Sequence, residues 1–328
     1  MNKEKLIEIK DLKTYFYTEA GTAKAVDGVS FDIYNGEVLG IVGESGSGKS
    51  VTSLSINRLI PNPPGEIVSG EIIYKGINLL DISYEEMRNY RGKDIAMIFQ
   101  EPMTSLNPVL TIKVQMNEIL KRHYKMSDDE ATQKSIELLS AVGIPDPENR
   151  MKEYPHQFSG GMRQRVMIAM ALQCNPSLLI ADEPTTALDV TIQAQILDLM
   201  MELKDKREDA AILLITHDLA VVAETCDRVI VMYGGKIQEV ADIDELFKNP
   251  LHPYTKALMD SMPKMNTKEK RLKALKGMVP SLLNMGDGCK LCSRFDPEDC
   301  ACGGTGEEPE LYEVKPNHLV RCNPDIFK

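Results

Sequence analysis

The sequence has no long apolar run. Its longest uncharged stretch, residues 166–181, is broken by Gln173, Asn175 and Pro176. A helix that crosses a bilayer needs about 20 predominantly apolar residues. The sequence therefore predicts a soluble chain and excludes a membrane-spanning protein.

Positive charge is also in short supply, with 38 Lys and Arg against 49 Asp and Glu and a net charge of −11. This balance argues against nonspecific binding along nucleic acid. The first eleven residues alternate charged and apolar side chains and lack the apolar stretch of a secretory signal. We therefore expect a cytosolic location.

Cysteine is scarce outside one region. In a cytosolic chain thiols stay reduced, and at 328 residues the core can be large enough to need no disulfide. Five of the seven cysteines nevertheless crowd into residues 289–322. This cluster requires a separate explanation, such as metal binding.

A glycine-rich loop follows the apolar run 38–42 and matches the phosphate-loop pattern, a glycine, four free positions and then Gly-Lys-Ser. The loop and the first residue after it are Gly43, Glu44, Ser45, Gly46, Ser47, Gly48, Lys49, Ser50 and Val51. Loop amides and the following helix would bind phosphates, Lys49 would reach the β and γ phosphates, and Ser50 would ligate Mg²⁺. The alternative, a turn that binds nothing, is disfavoured by the strand before it and the helix-compatible residues 51–59 after it.

Polar residues follow three further apolar strands, 95–99, 178–181 and 211–215. Gln100 could reach a metal or water beside the γ phosphate, or could simply cap a turn. Asp182 suits Mg²⁺ binding, and Glu183 suits a base that activates water. His217 could be structural, but it occupies the same kind of position.

Between the first two of these strands, residues 111–153 show helical periodicity, with Gly143-Ile144-Pro145 as a helix stop within them. This periodicity predicts a small helical subdomain. Ser159, followed by two glycines, starts a further helix and offers either a second anion site or an ordinary N-cap. Earlier in the chain, the Asn35-Gly36 pair predicts a hairpin between strands 25–33 and 38–42.

These motifs occur in one order, and in that order they resemble the nucleotide-binding subunits of ABC transporters over roughly residues 5–245. The resemblance implies an α/β fold: a P-loop NTPase (RecA-like) ABC ATPase core in residues 1–262, with a helical subdomain at about 103–160 and a cysteine-containing extension in 263–328. The family's signature sequence is matched by Ser159, Gly160, Gly161 and Met162, and its D-loop aspartate by Asp189. Segments 100–108 and 249–255 look like the oligopeptide and dipeptide importer ATPases, although nickel importers share much of this sequence.

The resemblance also implies roles for single residues. Phe16 is expected to stack on adenine, although the aromatic triplet 15–17 taken alone favours simple packing on sheet faces. Magnesium would be held through Ser50, Gln100 and Asp182, with Glu183 as the base and His217 contacting the γ phosphate. Two subunits would enclose two ATP molecules, so that the signature of one chain covers the ATP of the other.

The implied function is ATP hydrolysis that powers peptide import, a translocase activity on the cytoplasmic face of the cell membrane. The implied partners are a sister ATPase in a heterodimer, two transmembrane permease subunits and an extracellular substrate-binding protein, with no nucleic acid. The alternatives are a nickel or other small-solute importer of the same branch and, less favoured, a soluble ABC ATPase acting on nucleic acid or ribosomes.

The tail cysteines suit zinc or an iron–sulfur cluster, because a C-x-x-C pair with later cysteines can supply four thiolates. The same importer branch carries such a tail, and some members bind a 4Fe-4S cluster there. The resemblance predicts Cys289, Cys292, Cys302 and Cys322 as ligands, with Cys300 as an alternative. Phe295 stands where the family has a cysteine, which leaves zinc or free thiols as alternatives to the cluster.

Overall fold

The structure is a computed structural model that describes residues 4–100, 105–185, 190–205 and 207–261 and, near the C-terminus, 277, 279–283, 285–286, 288–296 and 299–323. Contacts divide the chain into two compact units. The first unit centres on residues 81–213, and the second comprises residues 7–33, 37–80 and 214–328.

Strands and helices alternate along much of the chain. The described strands are β1 Lys5–Thr18, β2 Gly21–Tyr34, β3 Val38–Val42, β4 Gly65–Tyr74, β5 Ile77–Asn78, β6 Ile95–Ile98, β7 Leu178–Asp182, β8 Ala211–Ile215, β9 Arg228–Tyr233, β10 Lys236–Asp242, β11 Leu311–Lys315 and β12 His318–Arg321. The described helices are α1 Lys49–Ile56, α2 Tyr84–Tyr90, α3 Ile112–Tyr124, α4 Asp128–Ala141, α5 Pro147–Arg150, α6 Gly160–Leu172, α7 Val190–Asp205, α8 Leu219–Thr225, α9 Ile243–Lys248 and α10 Pro253–Asp260. Within this described part, every helix is too short or too polar to cross a membrane.

Buried strands form the sheet of the first unit, in the order β8-β7-β6. β6 and β7 run parallel, with Ile95 opposite Leu178 and Ile98 opposite Ala181. All five residues of β7 are buried, as expected for an apolar run in a parallel sheet. The strands predicted near residues 95–99 and 178–181 are confirmed.

Helices α3, α4 and α6 pack around an apolar core in the same unit. The core residues are Leu106, Ile112, Met116, Leu139, Val142, Ile144, Met151, Phe158, Val166 and Ala169. Ser127 caps α4 with a capping box, and α4 ends at Ala141, just before Gly143 with its φ of 72°. The predicted helical periodicity and its stop are therefore confirmed.

The second unit contains two sheets. One has the order β2-β1-β4-β5, and the other includes β11-β12-β10-β9-β3. β9 is parallel to β3 and forms an antiparallel hairpin with β10. β12 pairs with β10, so the tail extends this second sheet.

The predicted hairpin at Asn35-Gly36 is wrong. β2 and β3 lie in different sheets, and β3 pairs with β9 instead of with β2. The physical reason lies in β3 itself, because all five of its residues are buried. A strand buried on both faces belongs inside a parallel sheet, so the turn carries the chain from one sheet to the other.

Candidate functional site

The path of the phosphate loop requires glycine at both ends. Gly43 has a φ of 150°, and a Cβ there would stand 2.2 Å from the carbonyl oxygen of Met232. Gly48 has a φ of 103°, and its Cβ would stand 2.4 Å from the carbonyl oxygen of Ala25. No other residue fits either position without displacing backbone. The loop is thus fixed by its packing between β9 and β2.

Lys49 lies at the centre of this loop and is only 5% exposed. Its Nζ donates to the carbonyl oxygens of Gly43 at 2.8 Å and Glu44 at 3.0 Å. Lys49 also begins α1, whose N-cap Gly48 has no capping side chain. A positive side chain beside a helix N-terminus is a favourable site for an anion such as phosphate.

The polar strand-end residues of the first unit come together. Gln100 Nε2 donates to Glu183 Oε2 at 3.1 Å, and neighbouring Asp182 is buried at 4% exposure. Glu183 has a φ of 47°, in the left-handed region that costs energy for a residue other than glycine. The carbonyl oxygen of the next residue, Pro184, accepts a hydrogen bond from Gln164 in α6. The turn that carries Glu183 is therefore held in a strained conformation by a neighbouring helix.

The signature sequence occupies the start of α6. Ser159 Oγ accepts a hydrogen bond from the backbone N–H of Met162 at 3.3 Å, so the serine acts as an N-cap within its own chain. Ser159 and Gly160 are exposed, and a Cβ at Gly160 would meet nothing within 4 Å. Gly161 follows in the first turn of the helix. This helix start is open to contact by another molecule.

Two other predicted residues lie in the second unit. His217 is exposed at the end of β8, on a turn in which the Asp218 N–H donates to Thr216 Oγ1 at 3.0 Å. Phe16 lies in β1 opposite Gly65, and its ring stands 2.8 Å from where a Gly65 Cβ would be. Asp189 lies outside the described residues.

Sequence reasoning missed two contacts with the phosphate loop. The backbone N–H of Glu44 donates to Tyr254 Oη at 3.0 Å. The Glu44 carboxylate forms an ion pair with Arg294 from the cysteine tail. Tyr254 belongs to segment 249–255, which the sequence singles out, but nothing in the sequence links Arg294 to the loop.

Four cysteines of the tail lie close together. The Sγ–Sγ distances are 3.6 Å for Cys289–Cys300, 3.5 Å for Cys292–Cys300, 3.3 Å for Cys292–Cys302 and 3.5 Å for Cys300–Cys302. All four Sγ atoms lie within 4.8 Å of one another. A tetrahedral ion with metal–sulfur bonds of about 2.3 Å separates its ligands by roughly 3.8 Å. The donor set and its spacing therefore fit a thiolate-bound metal.

The group of close sulfurs includes Cys300, which the sequence offered as an alternative ligand, whereas Cys322, one of the four ligands first predicted, lies outside it. The physical reason is that Cys322 directly follows β12, whose position is fixed by pairing with β10 and β11. Burial raises the pKa of Cys322 to about 11, and burial together with Cys302 raises the pKa of Cys292 to about 12. A bound cation favours the thiolate form of its ligands.

Two segments of the chain match known protein families. Residues 26–186 match the family described as "ABC transporter". Residues 238–302 match the family described as "Oligopeptide/dipeptide transporter, C-terminal region". The second match includes four of the five tail cysteines.

Curated relatives match nearly the whole chain. It is 54% identical over 319 residues to "Probable peptide ABC transporter ATP-binding protein y4tR" of Sinorhizobium fredii, covering 97% of this chain and 94% of that protein. It is 52% identical over 330 residues to "Oligopeptide transport ATP-binding protein OppD" of Bacillus subtilis, covering 99% of this chain and 91% of that protein. Among solved structures, the dimeric ATP-binding cassette MJ0796 bound to ADP and Pi is 28% identical, with a TM-score of 0.65 and coverage of 72% of this chain and 98% of that one.

Proposed function

The chain belongs to the ABC transporter family, and we propose that it is the ATP-hydrolysing subunit that powers peptide import through a membrane transporter. ATP hydrolysis is the activity of the family. The observation that supports a peptide substrate is the match of residues 238–302 to the oligopeptide/dipeptide transporter C-terminal region. This region lies outside residues 26–186, which match the general ABC transporter family, so it distinguishes the branch as well as the family.

The phosphate loop supplies most of the proposed ATP-binding residues. Its amides and Lys49 would bind the phosphates, and Phe16 would stack on adenine. Ser50 and Asp182, with Gln100, would hold Mg²⁺, which would neutralise charge on the phosphates during transfer. The buried position of Asp182 and the enclosed position of Lys49 support these roles.

Glu183 is the proposed general base. Its hydrogen bond from Gln100 orients the carboxylate, and the left-handed backbone at Glu183 is the kind of strain found at active sites. A carboxylate so placed can accept the proton of the attacking water as the water oxygen bonds to the γ phosphorus and the bond from that phosphorus to the β–γ bridging oxygen breaks, which releases ADP and phosphate. His217 would contact the γ phosphate and align the water.

A dimer completes the proposed site. ABC ATPase subunits dimerise and work with membrane permeases, and MJ0796 was solved as a dimer. In the proposed arrangement Ser159 to Met162 of one subunit cover the ATP bound by the other, with Asp189 in the D-loop between them. The exposed start of α6 supports this use. We propose a sister ATPase as the partner, two permease subunits at the cytoplasmic face of the membrane, and an external substrate-binding protein.

The domain boundaries remain part of the proposal. The ATPase domain would span residues 1–262, with the helical subdomain at about 103–160, and the extension would span 263–328. The proposed extension would hold a metal centre at Cys289, Cys292, Cys300 and Cys302. Either a zinc ion or a 4Fe-4S cluster suits four thiolates, and the close sulfur spacing favours a single ion. Iron, sulfide and zinc measured on anaerobically purified protein distinguish them.

The function is tested by reconstitution in liposomes with the sister ATPase, permeases and substrate-binding protein encoded by neighbouring genes. We expect the peptide-loaded binding protein to stimulate ATP hydrolysis, and we expect Glu183→Gln to abolish that stimulation. Stimulation by a nickel-loaded binding protein, with none by peptides, would overturn the peptide assignment. Stimulation by DNA or ribosomes alone would overturn the importer assignment itself.

A further inference from the structure

Glu44 places a negative charge inside a loop that is proposed to bind a polyanion. Its carboxylate meets the guanidinium of Arg294 in a two-pronged contact: NH1 donates to Oε2, and NH2 donates to Oε1 at 3.1 Å. The Arg294 side chain is only 3% exposed and the Glu44 side chain 28%. A paired contact of this kind fixes orientation as well as charge.

Arg294 is held by the tail on one side and by aromatic rings on the other. It lies in the segment between Cys292 and Cys300, and its NH2 also donates to the Gly277 carbonyl oxygen at 3.4 Å. Its guanidinium lies 5.8 Å from the centre of the Tyr233 ring, which in turn lies 4.9 Å from the Tyr254 ring. The guanidinium therefore has one well-defined position.

Tyr254 holds the same loop residue through the backbone. Its Oη accepts the Glu44 N–H at 3.0 Å, and burial raises the pKa of the phenol, which keeps it neutral. The Glu44 carbonyl oxygen accepts from Lys49 at 3.0 Å. Glu44 is thus held at its N–H, its carbonyl and its side chain, by α10, α1 and the tail respectively.

The tail contributes a positive charge, that of Arg294, next to the negative charge of Glu44. Without a partner, the Glu44 carboxylate would repel the phosphates of ATP across a partly buried site, where Coulomb interactions are stronger than in water. Arg294 cancels this charge, and its burial and two-pronged contact hold the guanidinium in place. We propose that Arg294 is a positioning residue of the ATP site: the cysteine tail supplies the cation that neutralises Glu44 and holds the phosphate loop. This inference rests on the ATP site proposed above.

A double variant that removes both charges of the ion pair tests the inference. ATP affinity is measured by equilibrium titration of the full-length chain carrying Glu183→Gln, which prevents hydrolysis during the measurement. We expect Arg294→Ala to weaken ATP binding about tenfold, and Arg294→Lys to weaken it less because charge survives without the fork geometry. Adding Glu44→Gln to Arg294→Ala should restore affinity to within about twofold of the parent.

A merely structural role for Arg294 would not produce that rescue, since a second substitution cannot repair a damaged tail. Unchanged affinity in Arg294→Ala, or a double variant as weak as Arg294→Ala alone, would overturn the inference. Lys315→Ala is the matched control, because it removes another ion pair of the tail, with Glu245, on the surface. It should bind ATP as the parent does, and a tenfold loss in this control would also overturn the inference.

Lys49→Ala separates this inference from the proposed function. If the parent binds ATP and Lys49→Ala does not, the ATP site stands and the Arg294 variants decide the inference alone. If the parent shows no ATP binding that depends on Lys49, the proposed function itself fails.

Discussion

The phosphate loop and the cysteine tail belong to one unit but obtain their shape in different ways. The loop is fixed by backbone sterics, since Gly43 and Gly48 each stand against a carbonyl oxygen of a neighbouring strand. In the described part of residues 277–323, regular structure consists of β11 and β12, and the remaining turns surround four cysteines. The shape of the loop should therefore not depend on metal or on redox state. A thiolate cluster depends on metal and redox state.

Buried polar contacts connect the tail to the core. His318 Nε2 lies 2.7 Å from Glu239 Oε1, and these side chains are 1% and 0% exposed. Glu239 also accepts the N–H groups of Leu251 and His252 at 2.8 Å and 3.1 Å. Because the tail depends on cysteines and yet contacts the loop through Arg294, a change in the tail is expected to reach the nucleotide site. The following predictions test this contrast, beginning with the largest effect.

Loss of the proposed general base should give the largest effect. Glu183→Gln keeps the size and the hydrogen-bonding partner Gln100 but removes the group that accepts a proton. We expect steady-state ATP hydrolysis to fall by about 10²–10⁴-fold, with ATP binding retained. Turnover and binding are measured on the same assembled transporter.

Lys49→Ala serves as the control, because it should weaken ATP binding, which Glu183→Gln should retain. It removes the phosphate-facing charge, so binding itself should weaken. Hydrolysis by Glu183→Gln at the wild-type rate would remove Glu183 from the proposed role.

The tail should respond to loss of a thiol in a position-dependent way. Cys300 lies within the four-sulfur group, whereas Cys322 is buried outside it. We expect Cys300→Ser to lower metal affinity at least about tenfold, since even changes beyond the ligands themselves cost 10–100-fold. Cys322→Ser is the matched control and should retain metal.

Metal content per chain, measured after dialysis against a chelator, checks this prediction. Equal retention by the two variants would contradict the assigned ligand set. If the tail holds the loop through Arg294, Cys300→Ser should also weaken ATP binding, while Cys322→Ser should not.

The difference between the two regions also explains what sequence can predict. The loop and the strand ends at Gln100, Asp182 and His217 are local patterns, in which one short segment contains both the structure signal and the chemical group. Gln100 and Glu183 are 83 residues apart, yet the placement of both was predictable because each closely follows an apolar strand.

The tail contacts were not predictable in the same way. Arg294 and Glu44 are 250 residues apart, and the ion pair depends on how a turn-rich segment folds around its cysteines. Choosing Cys300 over Cys322 likewise required three-dimensional positions, since five cysteines in sequence allow several sets of four. The failed hairpin at Asn35-Gly36 has a related cause, because burial on both faces of β3 outweighs a local turn preference.

The stability of the core beside the phosphate loop should depend on pH rather than on metal. This effect is expected to be smaller than those of Glu183→Gln and Cys300→Ser. His252 is fully buried at the N-terminus of α10, where its Nδ1 accepts the Tyr254 N–H at 3.1 Å. Burial lowers the pKa of His252 from 6.5 to about 4. Between these values the unfolded chain binds the proton and the folded chain does not. Neutral His252 therefore imposes no cost on folding above pH 6.5. As pH falls from 6.5 towards 4, the free energy of unfolding decreases, by about 2 kcal/mol at pH 5.

His252→Asn isolates this effect, because asparagine keeps an acceptor at the helix N-cap but does not titrate. The unfolding midpoint in urea is measured from pH 7.5 to pH 5 for both proteins, and all other titrating groups are shared. We expect the wild-type protein to lose more stability than His252→Asn over this range. If the two proteins lose stability equally, His252 has an ordinary pKa in the folded chain. The start of α10, which contacts Glu44 through Tyr254, would then be open to water rather than packed as the structure shows.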